Sequence, residues 1–315
     1  MRVLVIAARV VGHRCLEAIL ESGAEVCALL FLDDVKASVT VAHSPFDDLI
    51  GKYQLQAQAF ATLKGNQGEH HLDFARQAAP DLGIVVGVSE LVPDELLVLP
   101  PKGFIGMHPT LLPKGRGRAP IPWALIHDLK ETGVTLFYAE SGADTGDILA
   151  QAKVPIFDTD TAPVLGARTD DVACRLFVEN LPKLAAGTAP RLRQNDAEAT
   201  NWPRRRPEDG VIDWRKDARA LYNWVRALTW PYPGAFTFVN GRKLTVWAAA
   251  ERRAPCKSAP GEVIGVEGDA VLVATANGAL ALTDVQWDGE APRAPRLAGL
   301  VPGMMLGNAD ERAVA

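Results

Sequence analysis

The chain has no glycine-rich phosphate loop. Its first βα turn reads Ala7-Ala8-Arg9-Val10-Val11-Gly12, without the G-x-G-x-x-G spacing that lets backbone approach a pyrophosphate. No G-x-x-x-x-G-K-[ST] run occurs either, which argues against NTP hydrolysis. Cysteine is scarce: Cys15, Cys27, Cys174 and Cys256 form no C-x-x-C pair and have no zinc-type spacing to a histidine. They read as buried thiols in a reducing compartment. No apolar run reaches transmembrane length. The N-terminal MRVLVIAARVVG lacks a small-residue cleavage site and continues as strand then helix, so a cytoplasmic protein with no membrane partner is expected. A basic excess is missing as well. There are 33 Lys and Arg against 38 Asp and Glu, a net charge of −5. The first hundred residues hold seven Lys/Arg against thirteen Asp/Glu; residues 201 to 250 reverse this, nine against four. That second stretch reads as a solvated surface or an anion-binding face.

At 315 residues and 48% hydrophobic content, two domains with sizeable cores are expected. Arg2–Ala8 is a continuous apolar run of strand length, Val11–Glu21 has helical spacing through Cys15, Leu16, Ile19 and Leu20, and Glu25–Leu32 is a second buried strand. The alternation continues with strands over 82–88, 104–107, 133–138 and 148–156 and helices over 73–79, 93–97, 121–127 and 163–185. This predicts an α/β fold, a doubly wound and mostly parallel sheet. Asp33 to Glu69 is polar and reads as a loop or short helix. Thr188–Arg206, of mixed charge with two prolines, reads as a linker. Beyond it come a helical stripe (Leu221, Trp224, Val225, Leu228) and short strands over 235–239, 243–248, 262–266, 270–275 and 280–287, with hairpin turns at Asn240-Gly241 and Asn277-Gly278. Such spacing suggests a smaller all-β, OB-like barrel. The expected boundaries are a catalytic domain at 1–187, a linker at 188–207 and a barrel at 208–315.

The richest stretch is Phe104–Gln151. His108 ends an apolar run, the place where open α/β sheets present ligand-binding groups. It reads either as a proton acceptor or as a residue that only caps its strand. Asp144 sits in Ser141-Gly142-Ala143-Asp144-Thr145-Gly146-Asp147; it could orient His108, and equally could serve only a local turn. Lys114-Gly115-Arg116-Gly117-Arg118 offers an anion site or a set of loop-pinning arginines. Asp33 and Asp34, at the end of the second strand, read as solvated strand-end acids.

The runs H-P-T-L-L-P-K-x-R-G-R-A-P-x-x-W (from His108), E-T-G-V-T-L (from Glu131) and A-D-x-G-D-I (from Ala143) resemble the folate-dependent formyltransferases. The likeness continues through Arg204–Gly210, Pro231–Phe236 and Val246-Trp247. It implies formyl transfer from the co-substrate N10-formyltetrahydrofolate to an amine, with no metal. His108 and Asp144 take the positions of the family's catalytic pair. The pterin would lie against Val86, Gly87, Val88, Ser89, Glu90 and Leu91 on one side and Ala139, Glu140, Gly142 and Asp147 on the other. The family's catalytic asparagine, a donor to the developing oxyanion, falls on Gly106; a backbone N–H or the Thr110 hydroxyl would have to substitute. Because Asp33–Glu69 is acidic, with only Lys36, Lys52 and Lys64 as cations, tRNA is disfavoured as a partner and a small-molecule amine is expected, such as an amino sugar or an amino-acid-derived amine. Methionyl-tRNA formyl transfer, and hydrolysis of 10-formyltetrahydrofolate, are the alternatives. The second domain could bind the acceptor, mediate a homodimer or brace the first domain.

Overall fold

The computed structural model describes residues 1–37, 40–252 and 257–307; Cys256 lies outside them. In chain order the elements are β1 (Arg2–Ala7), α1 (Arg9–Glu21), β2 (Glu25–Leu32), α2 (Asp34–Ala37), α3 (Asp47–Tyr53), β3 (Ala57–Phe60), α4 (Gly65–Ala78), β4 (Leu82–Val86), α5 (Asp94–Leu97), β5 (Phe104–His108), β6 (Arg116–Gly117), α6 (Pro120–Ile126), β7 (Glu131–Ala139), β8 (Ile148–Pro155), α7 (Ala162–Ala186), β9 (Asn201–Trp202), α8 (Ala218–Leu228), β10 (Ala235–Val239), β11 (Arg242–Arg252), β12 (Val263–Glu267), β13 (Ala270–Ala274) and β14 (Ala279–Trp287). They form two compact units. The first comprises 1–120, 131–155 and 166–203; the second comprises 121–130, 156–165 and 204 onward.

The first unit is a seven-stranded sheet in the order β3-β2-β1-β4-β5-β7-β8. Strands β3, β2, β1, β4 and β5 are parallel. Val3 to Ala7 are all 0% exposed, as befits a central strand covered on both faces, which must be apolar throughout rather than alternating. Helix α1 buries Cys15, Leu16 and Ile19 on the stripe its spacing predicts. Strand β7 runs antiparallel to both β5 and β8, so the register sets Ala139 beside Phe104, at the opposite end of β5 from His108. The polar stretch 33–69 carries more order than its composition suggests, namely α2, α3, β3 and the start of α4.

The expected linker is largely part of this unit. Leu192 bridges to Ile148, and β9 pairs in parallel with β6. Residues through Pro203 belong with the sheet.

The second unit carries an antiparallel sheet ordered β10-β11-β14-β13-β12. The segment 304–307 bonds to both edge strands, through Phe238 to Gly307 and Val263 to Met304. Asn240 and Gly241 both have positive φ, 51° and 80°, which a two-residue hairpin turn between β10 and β11 demands. Helix α8 buries Leu221, Val225 and Leu228; Trp224 is half-buried and Trp230 exposed. Among the described residues no helix is long and apolar enough to cross a membrane.

Candidate active site

His108 ends β5 and is 5% exposed. Its Nε2 lies 2.7 Å from the carbonyl oxygen of Gly115. A carbonyl only accepts, so Nε2 carries the proton and the lone pair of the neutral ring sits on Nδ1. Nδ1 is 3.6 Å from Asp144 Oδ2, just beyond hydrogen-bond length.

Asp144 gets there by an indirect route. Its loop leaves β7 at the far end of the strand pair, so it has to fold back across the sheet. Gly146 permits this, because a Cβ there would run into the Tyr138 carbonyl. Asp144 itself has φ +57°, a left-handed conformation that aspartate tolerates better than most residues. Its Oδ2 accepts a 2.9 Å bond from the Gly117 N–H. One short segment, Gly115 to Gly117, therefore holds both members of the pair, His108 through a carbonyl and Asp144 through an amide.

Gly106, two residues before His108, faces Phe137 directly across the β5–β7 ladder. A Cβ built on Gly106 would lie 2.7 Å from Phe137 Cζ and 3.0 Å from Cε1. The aromatic ring occupies the space a side chain at 106 would need. Thr110, the other residue expected near the oxyanion, is 2% exposed. Its hydroxyl oxygen is sealed from solvent, with no hydrogen-bond partner among the described residues, and its carbonyl accepts from Thr135 Oγ1.

The two groups of residues expected at a pterin line separate clefts. Gly87, Val88, Ser89 and Glu90 border a small cavity of about 80 Å³ with Arg9 and Phe60. There Ser89 Oγ accepts from the Arg9 guanidinium, and Glu90 accepts from Thr62 Oγ1 and the Leu63 N–H. Ala139 and Glu140 border a cavity of about 340 Å³ with Leu97, Phe104, Tyr138 and Arg191. Val86 is corrected to a core position, 1% exposed with its carbonyl taken by the Ala8 N–H; Leu91 is exposed. Gly142 lies in the folded-back loop, and Asp147 pairs with Arg191 at 3.3 Å. Arg191 also stacks over Tyr138 at 4.0 Å, and burial pushes the Tyr138 phenol upward.

Two further readings are decided by geometry. Arg116 is a loop-pinning arginine, buried and bonded to Gln194 and Asp196. Asp33 caps the short helix α2 by accepting from the Lys36 N–H. Sequence reasoning passed over Gln194, whose side-chain amide donates to the carbonyls of Asp144 and Gly146. A lone glutamine in a charged, proline-bearing stretch gives no signal by pattern.

The chain matches the Formyl transferase model over residues 19–181 and the model for the Formyl transferase C-terminal domain over residues 205–296. A methionyl-tRNA formyltransferase of Bacillus licheniformis is 39% identical over 238 residues, covering 74% of this chain and 75% of its own. One from Syntrophus aciditrophicus is 38% identical over 217 residues, 69% of each chain. Among solved structures, an N-formyltransferase of Helicobacter canadensis in complex with folinic acid and dTDP-3-aminofucose shares the fold at a TM-score of 0.67. It is 17% identical and covers 89% of this chain and 98% of its own. The names of the sequence relatives overturn the expectation that tRNA is disfavoured. The acidity of residues 33–69 was a weak argument, because phosphate binding depends on a local basic face and not on the charge of one segment. Two consecutive domain models and relatives spanning three-quarters of the chain agree: this protein belongs to the folate-dependent formyltransferase family.

Proposed function

We propose that the chain transfers a formyl group from N10-formyltetrahydrofolate to the amine of methionyl-tRNA. The acceptor follows the relatives, which carry that activity in their names at 38–39% identity. The chemistry rests on one observation: the Nδ1 of a buried histidine, its other nitrogen tied to the Gly115 carbonyl, stands 3.6 Å from an anchored carboxylate.

The folate co-substrate supplies an activated one-carbon acyl group. The cleft of about 340 Å³ bordered by Leu97, Phe104, Tyr138 and Ala139, together with the charged Lys102, Glu140 and Arg191, would take its ring system. The loop that forms part of this wall continues directly into Asp144. An amine that attacks the formyl carbon must shed a proton as the bond from that carbon to N10 breaks; His108 Nδ1 is the lone pair available to take the proton, which would then pass to N10 of the departing tetrahydrofolate. Protonation there creates a cation beside Asp144, whose carboxylate is already held by the Gly117 N–H and needs no rearrangement. Asp144 thus stabilises the charged imidazole without itself moving a proton.

Incubation with formyl-labelled N10-formyltetrahydrofolate and methionyl-tRNA tests the proposal. Label should appear on the methionyl amine. Label released only as formate, or no turnover with this acceptor, would overturn it.

A further inference from the structure

We propose that Gln194, aimed by Arg116, is a positioning residue that sets Asp144 against His108. The inference rests on the reading of His108 and Asp144 as the reacting pair. Gln194 lies 50 residues from Asp144 in the chain, in the segment that follows α7, and is 6% exposed. Its Nε2 donates to the Asp144 carbonyl at 2.8 Å and to the Gly146 carbonyl at 2.7 Å. These are the two ends of the turn that carries Asp144 in its left-handed conformation. Such a conformation persists only where the surroundings over-determine it.

The orientation of the amide is not arbitrary. Gln194 Oε1 accepts from both Nε and Nη2 of the buried Arg116, at 3.1 and 2.8 Å. A guanidinium has no acceptor, so the amide oxygen must face Arg116 and the NH2 must face the Asp144 turn. Arg116 is in turn held by Asp196 at 2.8 Å and by pairing of β6 with β9. The same pairing fixes the neighbours of Arg116. The Gly115 N–H donates to Thr200 Oγ1, and the Arg116 N–H to the Thr200 carbonyl. Gly115 holds the histidine and Gly117 holds the aspartate. The stretch from Gln194 to Trp202 therefore braces both sides of the 3.6 Å gap at once, and Gln194 is the point at which it grips the aspartate's own backbone.

The test is single-turnover formyl transfer by two variants of the full chain. Gln194→Met keeps the side-chain length and removes both donors. Gln194→Glu keeps an acceptor for Arg116, protecting the fold, and removes the donors. Each should lower kcat by about tenfold or more, since small displacements of a reacting group are costly, while KM for both substrates stays near wild type. In an Asp144→Asn background the same substitutions should have little further effect, because residues that act as a unit are non-additive. A folded variant with wild-type kcat, or an equal loss in both backgrounds, would overturn the proposal. A wild type that transfers no formyl group would instead strike the underlying function, a separate result.

Discussion

Replacing Gly106 by alanine should destabilise the protein, although general considerations give the opposite sign. Gly106 lies inside β5 and is not among the residues of positive φ. Removing a glycine from an extended strand normally stabilises by about 0.4–1 kcal/mol, by narrowing the unfolded ensemble. Here the added carbon meets Phe137 Cζ at 2.7 Å and Cε1 at 3.0 Å, where carbon atoms prefer roughly 3.5–4.0 Å. The ring must retreat by about 1 Å, yet Phe137 is only 6% exposed and its backbone is laddered to Gly106 itself. Overpacking of this kind costs about 1–3 kcal/mol, so the net loss should be roughly 0.5–2 kcal/mol after the entropic gain. Phe137→Leu removes the clashing ring atoms. The double variant should be more stable than the sum of the single effects by about 1 kcal/mol, as expected of residues in contact. Urea unfolding of the four proteins measures the cycle. A Gly106→Ala variant more stable than wild type, or strict additivity, would refute the packing argument. The cycle bears on chemistry too: the asparagine that the family resemblance implies at this position could enter only with a smaller residue at 137.

Three other predictions follow from the same kind of reasoning. Burial pushes the Asp170 carboxyl up to about 7 despite the Arg14 guanidinium 4.0 Å away. The folded state therefore holds a proton that the unfolded chain, near about 3.9, gives up. That stability is fully present below pH ~3.9 and is lost as pH rises through about 7, on the order of 2–4 kcal/mol at most; Asp170→Asn should flatten the curve, and a wild-type-like slope in that variant would contradict it. Arg226, 3% exposed, donates to the Phe157 and Asp160 carbonyls and to Asn223 Oδ1. Arg226→Met should cost about 3 kcal/mol or more by removing these charge-assisted hydrogen bonds of a buried guanidinium, and a change under 1 kcal/mol in chemical denaturation would tell against it. Trp214 Nε1 donates to the fully buried Thr237 hydroxyl at 3.0 Å; Trp214→Phe should lose about 1–3 kcal/mol, read as a lower melting temperature.

The elements that burial alone dictates were legible from residue pattern. β2 and β10 run from Glu25 to Leu32 and from Ala235 to Val239, matching the expected bounds because their sides are too apolar to be anything but strand. β3 is four residues, Ala-Gln-Ala-Phe, and its alternation is too short to rise above a polar stretch. The direction of β7 was hidden, since side-chain periodicity is the same for either polarity. That hidden reversal is why His108 and Asp144 meet only through a folded-back loop. Nothing in the sequence tied Phe137 to Gly106. Gln194 stayed invisible for a different reason: its role depends on which way an amide faces, which is a property of the assembled network and not of the local chain. The acceptor was misjudged because charge was summed over a segment, whereas recognition is local.

The most direct test of the central claim is single-turnover formyl transfer to methionyl-tRNA by wild type, His108→Ala and Asp144→Asn, each first shown to be folded. If Nδ1 of His108 takes the amine proton and Asp144 stabilises the resulting charge, both substitutions should slow transfer by about 10²-fold or more with the folate donor still bound. Transfer at the wild-type rate by either folded variant would contradict the account.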